Sequence, residues 1–123
     1  MKKVVTAFVV SLVLILSAFI IIPKGDIVGH WVNKYGNNQQ MTIDFNKDGT
    51  FKAVIPAENF TVTGQYKMQG DIMSITDTSC GKNYWGKYKL EFLGSDSIYT
   101  TVIEDSCTGR KASADKATLT RRK

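Results

Sequence analysis

The sequence predicts an all-β domain, an eight-stranded antiparallel up-and-down barrel, preceded by one N-terminal hydrophobic helix. Three observations lead there. Beyond Pro23 the apolar residues alternate with a period of two, and turn residues return about every ten positions, as in short antiparallel strands. Eight such segments with short loops fill about 95 residues, and closing the meander into a barrel removes the edges that an open sheet would expose. Val4 to Ile22, in contrast, carries no charge and forms one apolar run. A two-sheet sandwich is the alternative, but its strand-switching connections need longer loops than this spacing provides.

In chain order, Met1-Lys2-Lys3, the apolar run and Pro23 read as an export or membrane signal over residues 1–23, leaving 24–123 as the barrel domain with a basic C-terminal tail. As a helix the run spans about 28 Å at 1.5 Å per residue, close to the ~30 Å hydrocarbon core of a bilayer. Secretory signals have shorter apolar regions and end in a small-x-small site. The best such site follows Ala18, and Leu16 stands where a small side chain belongs. A retained anchor is therefore favoured over a cleaved signal peptide, with Lys2 and Lys3 on the cytosolic side. The domain is expected outside the cytoplasm: in the periplasm or at the cell surface, tethered through residues 4–22, or secreted after cleavage.

The first strand is Ile27–Asn33, with Gly29 and Trp31 on one face. Met41–Asn46 alternates Met41, Ile43 and Phe45 with polar residues, and Asp48-Gly49 turns it into Thr50–Ile55, a strong hairpin cue. Pro56 ends that strand. Phe60–Met68, Ile72–Asp77, Tyr84–Phe92, Ser97–Asp105 and Lys116–Arg121 follow, and no amphipathic helix is expected among them. A weak repeat links two hairpins: Gly64-x-Tyr66 is echoed by Gly86-x-Tyr88, and Asp77-Thr-Ser-Cys80 by Asp105-Ser-Cys107. Equivalent positions of successive hairpins share a rim, so the two cysteines are expected to be neighbours.

The formal charge of +5 is a matter of ends. Lys2 and Lys3 precede the apolar run, and Arg110–Lys123 carries six basic residues against Asp115, whereas Lys24–Gly109 has eight Lys against ten acids. A topogenic N-terminus and a solvated tail account for this, and a nucleic-acid surface does not, because its basic residues would cluster on one folded face. Cys80 and Cys107 in an exported domain imply a disulfide. Their strands are second neighbours, about 9.6 Å apart, so the bridge must lie past the strand ends, in the loops. Asp44-x-Asn46-x-Asp48-Gly49 matches half a calcium loop, but Ile55 replaces the closing Glu and no flanking helices are expected. His30 lies opposite Trp31 in the alternation, facing solvent with no second His. No nucleophile, base and oxyanion hole come together, so no enzymatic activity, metal or cofactor is expected.

Gly29-His30-Trp31 at the start of an eight-stranded meander resembles the G-x-W signature of the lipocalins and the wider calycin superfamily. The ordered set Thr42–Phe51, Gly64-x-Tyr66 with Gly70-Asp71, Gly86-x-Tyr88 and Asp105–Arg110 resembles small exported lipocalin-like domains of bacteria, over residues 27–121. The resemblance implies that Gly29 and Trp31 close one barrel end, with an Arg of the last strand stacked on the indole. Parity with Ala117 and Leu119 selects Arg121, with Arg110 second. A fainter likeness to avidin-like barrels, in Gly29-x-Trp31-x-Asn33-x-x-Gly36, lacks their later tryptophan-bearing strands. Lipocalins are typically longer. Strands of six to nine residues with Trp31, Phe45, Phe51 and Tyr66 inward predict a cavity that is small or absent.

Two functions are carried forward, both for a monomer. In the first, the barrel binds a small hydrophobic molecule at its open end, against Tyr35, Phe60, Tyr66, Tyr84 and Tyr88, whose rings with polar tips suit a half-wet pocket. In the second, it is a protein-binding module of the cell envelope, a hydrolase inhibitor or a complex subunit, with outward Trp85 beside Lys87 and Lys89 as the anchor.

Overall fold

The computed structural model describes residues 26–35, 39–81 and 83–122. The expected N-terminal helix and signal, residues 1–23, lie outside them. Eight strands form one closed antiparallel barrel in sequence order: β1 (Gly29–Tyr35), β2 (Gln39–Phe45), β3 (Thr50–Ile55), β4 (Phe60–Gln69), β5 (Ile72–Asp77), β6 (Gly86–Phe92), β7 (Ser97–Glu104) and β8 (Ala117–Arg121). β8 returns to β1, pairing Trp31 with Arg121 and Asn33 with Leu119, so neither strand is left as an edge. Such a barrel is consistent with a lipocalin-like fold. Among the described residues no helix is long and apolar enough to cross a membrane.

Alternation sets which side chains face inward. Trp31, Ile43, Phe45, Phe51, Ala53, Tyr88, Leu90, Ile98 and Leu119 are buried, while Lys52, Lys87 and Lys89 on the same strands are exposed. The Asp48-Gly49 turn forms as expected: Asp48 Oδ1 accepts the Thr50 backbone N–H at 2.9 Å and the Thr50 hydroxyl at 2.6 Å. Those bonds, the hydroxyl first, hold the Asp48 carboxyl below its usual range. Outside the barrel wall, His30 pairs with Asp44 across β1 and β2.

Several expectations need correction. β1 begins and ends two residues later than the alternation suggests, and Tyr84 and Trp85 precede β6 rather than opening it. A single 3₁₀ turn, Pro56–Glu58, joins β3 to β4, and a short helix, α1 (Thr108–Ala114), stands between β7 and β8. The stretch expected to be a solvated tail therefore folds. α1 has only seven residues and contains Gly109, too little for a helix stable by itself. Tertiary bonds hold it: Asn33 Nδ2 donates to the Ser113 carbonyl at 2.8 Å, Thr100 Oγ1 to the Ala114 carbonyl at 2.5 Å, and Asp115 accepts the Val102 N–H at 2.9 Å.

The Cys80–Cys107 disulfide forms with Cα atoms 5.8 Å apart. It joins the loop after β5 to the residue capping α1, beyond the strand ends where second-neighbour strands can be bridged.

Candidate functional site

The two barrel ends differ in what their residues allow. At one end, the segment before β1 folds across the opening. Ile27 is buried, and its carbonyl accepts the Trp31 indole N–H at 2.8 Å. The Arg121 guanidinium lies 4.3 Å from the indole centroid, a cation–π contact of roughly 0.5–2 kcal/mol. It also donates to the carbonyls of Asp26, Val28 and Ser95. Gly29 stands at φ 137°, a backbone conformation that strains any residue with a side chain, and a Cβ there would also push the tip of Arg121, whose Nη1 would be 2.7 Å away. Phe45, Phe51 and Tyr66 fill the adjoining interior, Phe45 meeting Tyr66 edge-on at 5.0 Å. This end is shut.

The other end is not. A cavity of about 450 Å³ opens there, between the Pro56–Glu58 turn and α1. Its floor and one wall come from β2, β3 and β4: Met41, Ile43, Phe45, Phe51, Ala53, Ile55 and Val62. Met73, Ile75, Tyr88 and Leu119 continue the apolar lining. The volume expected to be small or absent exists for two reasons. Trp31 and Tyr66 fill the interior at the shut end, outside the cavity, and small residues stand at the open one: Ala53 on β3, and Gly109, Ala112, Ser113 and Ala114 on α1.

Beneath α1 the wall turns polar. Arg110, on the inner side of the helix, donates from Nε and Nη2 to the two oxygens of Asp105 at 2.7 and 2.8 Å, from Nη1 to Asp77 at 3.1 Å, and from Nη2 to the Tyr84 carbonyl at 2.7 Å. The three charged side chains are at most 6% exposed. Tyr88 donates to Asp105 Oδ2 at 2.5 Å. Burial, then that bond and the Asp105 charge, push the Tyr88 phenol far above its usual range. Burial pushes the Asp105 carboxyl up, but the hydrogen bonds from Arg110, Tyr88 and the Cys107 N–H outweigh it and hold the group low. For Arg110 burial acts downward, and the bonds to Asp105 and Asp77 more than reverse it. Gly86 makes room for this cluster: a Cβ there would overlap the Asp105 carboxylate.

Of the residues proposed from sequence to hold a ligand, Tyr35, Phe60 and Tyr88 line the cavity and Tyr66 and Tyr84 do not. Tyr66 belongs to the shut end, where its hydroxyl donates to the Asn46 carbonyl at 2.5 Å. Tyr84 stands before β6 with its side chain largely in solvent, contributing its backbone to Arg110. Tyr35 and Phe60 form the mouth beside Glu58; burial, then the Glu58 charge, raise the Tyr35 phenol. Arg110, second choice for stacking on Trp31, lies at the opposite end of the barrel, and Arg121 occupies that place. Trp85 is half-buried, with Lys67 Nζ 4.9 Å from its ring centroid.

Sequence reasoning missed Asn33, Asp77, Thr100, Asp105 and Ser113. The Asp–Cys repeat was a visible signal for Asp77 and Asp105, which meet on Arg110; Asn33, Thr100 and Ser113 had none. Asn33 is 2% exposed; with its Nδ2 given to Ser113, its Oδ1 has no hydrogen-bond partner. Leaving such an acceptor unmatched costs roughly 1–3 kcal/mol. No protein-family model and no curated protein matches the chain.

Proposed function

We propose that this protein is a non-enzymatic, lipocalin-like barrel that binds a small apolar molecule in the cavity at its open end. The observation that carries the reading is the cavity itself. Its volume of about 450 Å³ is within the range of small-molecule pockets, about 300–1,000 Å³. Filled with water it would hold about fifteen molecules, most of them against hydrocarbon. Displacing that water by an apolar ligand is favourable at about 25 cal/mol per Å² of apolar surface covered. One rigid end, shut by Trp31 and Arg121, supports the frame while the other stays open. The domain acts as a monomer outside the cytoplasm, tethered through residues 4–22 or released if that signal is cleaved.

The test fills the cavity without disturbing the frame. Ala53 lies on the cavity wall, so Ala53→Trp puts an indole where the ligand would sit. Binding of a neutral naphthylamine dye, followed by its fluorescence, is expected for the wild type and lost in the variant, with circular dichroism unchanged. Equal dye binding by both folded proteins would place the dye elsewhere and remove the reading.

A further inference from the structure

The polar wall beneath α1 narrows the kind of molecule the cavity accepts, because its hydrogen-bonding capacity is one-sided. Thr100 gives its hydroxyl proton to the Ala114 carbonyl, Ser113 to the Arg110 carbonyl, and Tyr88 to Asp105. Asn33 spends Nδ2 on the Ser113 carbonyl, and that acceptor fixes which way its amide points. Arg110 turns all but one of its N–H groups to Asp105, Asp77 and the Tyr84 carbonyl. Apart from one Arg110 N–H, what is left over on this wall is lone pairs: the hydroxyl oxygens of Thr100 and Ser113, and the unpartnered Oδ1 of Asn33, which is closed to solvent and meets an occupant only when its surroundings shift. An occupant that complements them has to bring donors.

Charge points the same way. Arg110 stands between two carboxylates, so the buried cluster is negative overall. Glu58 adds a second negative charge at the mouth, near Tyr35. Among the described residues lining the cavity, only Glu58, Asp77 and Arg110 are charged.

We infer that the occupant is an amphiphilic amine: an apolar chain against β2, β3 and β4, with a protonated nitrogen turned to the wall beneath α1. This rests on the cavity being a site for an apolar molecule. A carboxylate or phosphate head would meet lone pairs and like charge, with one Arg110 N–H to bind it. An ammonium group supplies N–H donors and positive charge together, and charge-assisted bonds are the stronger kind. Toward the mouth, the rings of Tyr35 and Phe60 offer faces that attract a cation.

The experiment titrates the full chain, held in amphipol, with decylammonium, decanol and decanoate, subtracting an amphipol blank. Decylammonium is expected to bind about tenfold tighter than decanoate, with decanol between them. Asn33→Leu and Glu58→Gln are each expected to shrink the preference for decylammonium over decanol severalfold. Glu58→Gln serves as the second variant because it changes an exposed side chain and spares the core. Decanoate binding as tightly as decylammonium would overturn the amine and leave the apolar site standing. Failure of all three chains to bind would overturn the site itself. A preference for decylammonium that both folded variants retain would overturn its placement beneath α1.

Discussion

Asp105 faces Arg110 because β7 breaks register. Ile98, Thr100 and Val102 take the inward positions, and strict alternation would turn Glu104 inward next. A bulge shifts the pairing, so that Lys87 meets Glu104 while Tyr88 meets Val102, and Ile103 is left outside, half exposed. One extra residue thus re-aims the side chains that follow, as bulges at barrel rims do. Replacing Arg110 by Met would leave Asp77 and Asp105 buried without their cation, and the expected loss is about 3–5 kcal/mol. The pH dependence changes sign as well. In the wild type the Asp105 carboxyl is held low, so its contribution is complete above about pH 4, the unfolded value, and is lost as the pH falls through the lower folded value. In Arg110→Met the Asp105 carboxyl, buried without its cation, instead rises above its unfolded value, and stability increases on acidification from about pH 7 to 5. Urea midpoints across that range decide it: a variant as stable as the wild type, or one with the same acid slope, would show that the cluster is not buried as described.

At the scale of elements, α1 is the piece that the rest of the barrel has to hold in place. Its seven residues contribute few apolar contacts, and Arg110 is its one buried side chain. The disulfide fixes its first turn, and the bonds from Asn33 and Thr100 fix its last. The bridge closes a separation of 27 residues, worth about 3.5 kcal/mol in the chain-entropy model. The double variant Cys80→Ser, Cys107→Ser is therefore expected to lose about 3 kcal/mol in urea unfolding. Hydrogen exchange should separate this from a uniform loss, since protection is expected to fall first in residues 105–116 and in the loop after β5. If the strands lose protection to the same extent as α1 in native conditions, the bridge braces the whole barrel and not α1 in particular.

For the whole molecule, the disulfide and the proposed address outside the cytoplasm are linked, because such bridges persist in oxidising compartments. A barrel of this size is expected to be stable by about 5–10 kcal/mol, of which the bridge is a large share. Protein made with its own N-terminus should show no free thiols when denatured, and an unchanged N-terminal mass if the apolar run is a retained anchor. Made in the cytosol without residues 1–23, it should carry two thiols and unfold at lower urea. Two thiols in the protein with its own N-terminus would contradict the proposed address.

By itself the sequence determined the barrel, its strand order, the Asp48-Gly49 turn and the loop position of the bridge. Each follows from local properties: period-two alternation, turn chemistry, and the distance between second-neighbour strands. Arg121 was legible by another route: the lipocalin resemblance implies an Arg of the last strand stacked on Trp31, and parity with Ala117 and Leu119 selected Arg121 for that place. Tertiary structure alone decided α1, the place of Arg110, the inward turn of Asp105 and the volume of the cavity. α1 has too few residues for a helical period to be read, and what stabilises it comes from Asn33, Thr100 and Cys80, distant in sequence. Arg110 looks like one more cation of a basic tail until Asp77, 33 positions earlier, is brought within 3.1 Å of it. The register shift in β7 leaves no mark in the alternation of residues 97–102. The cavity is the sum of which inward side chains are large at the shut end and small at the open one, and that depends on how eight strands stagger around the closed barrel.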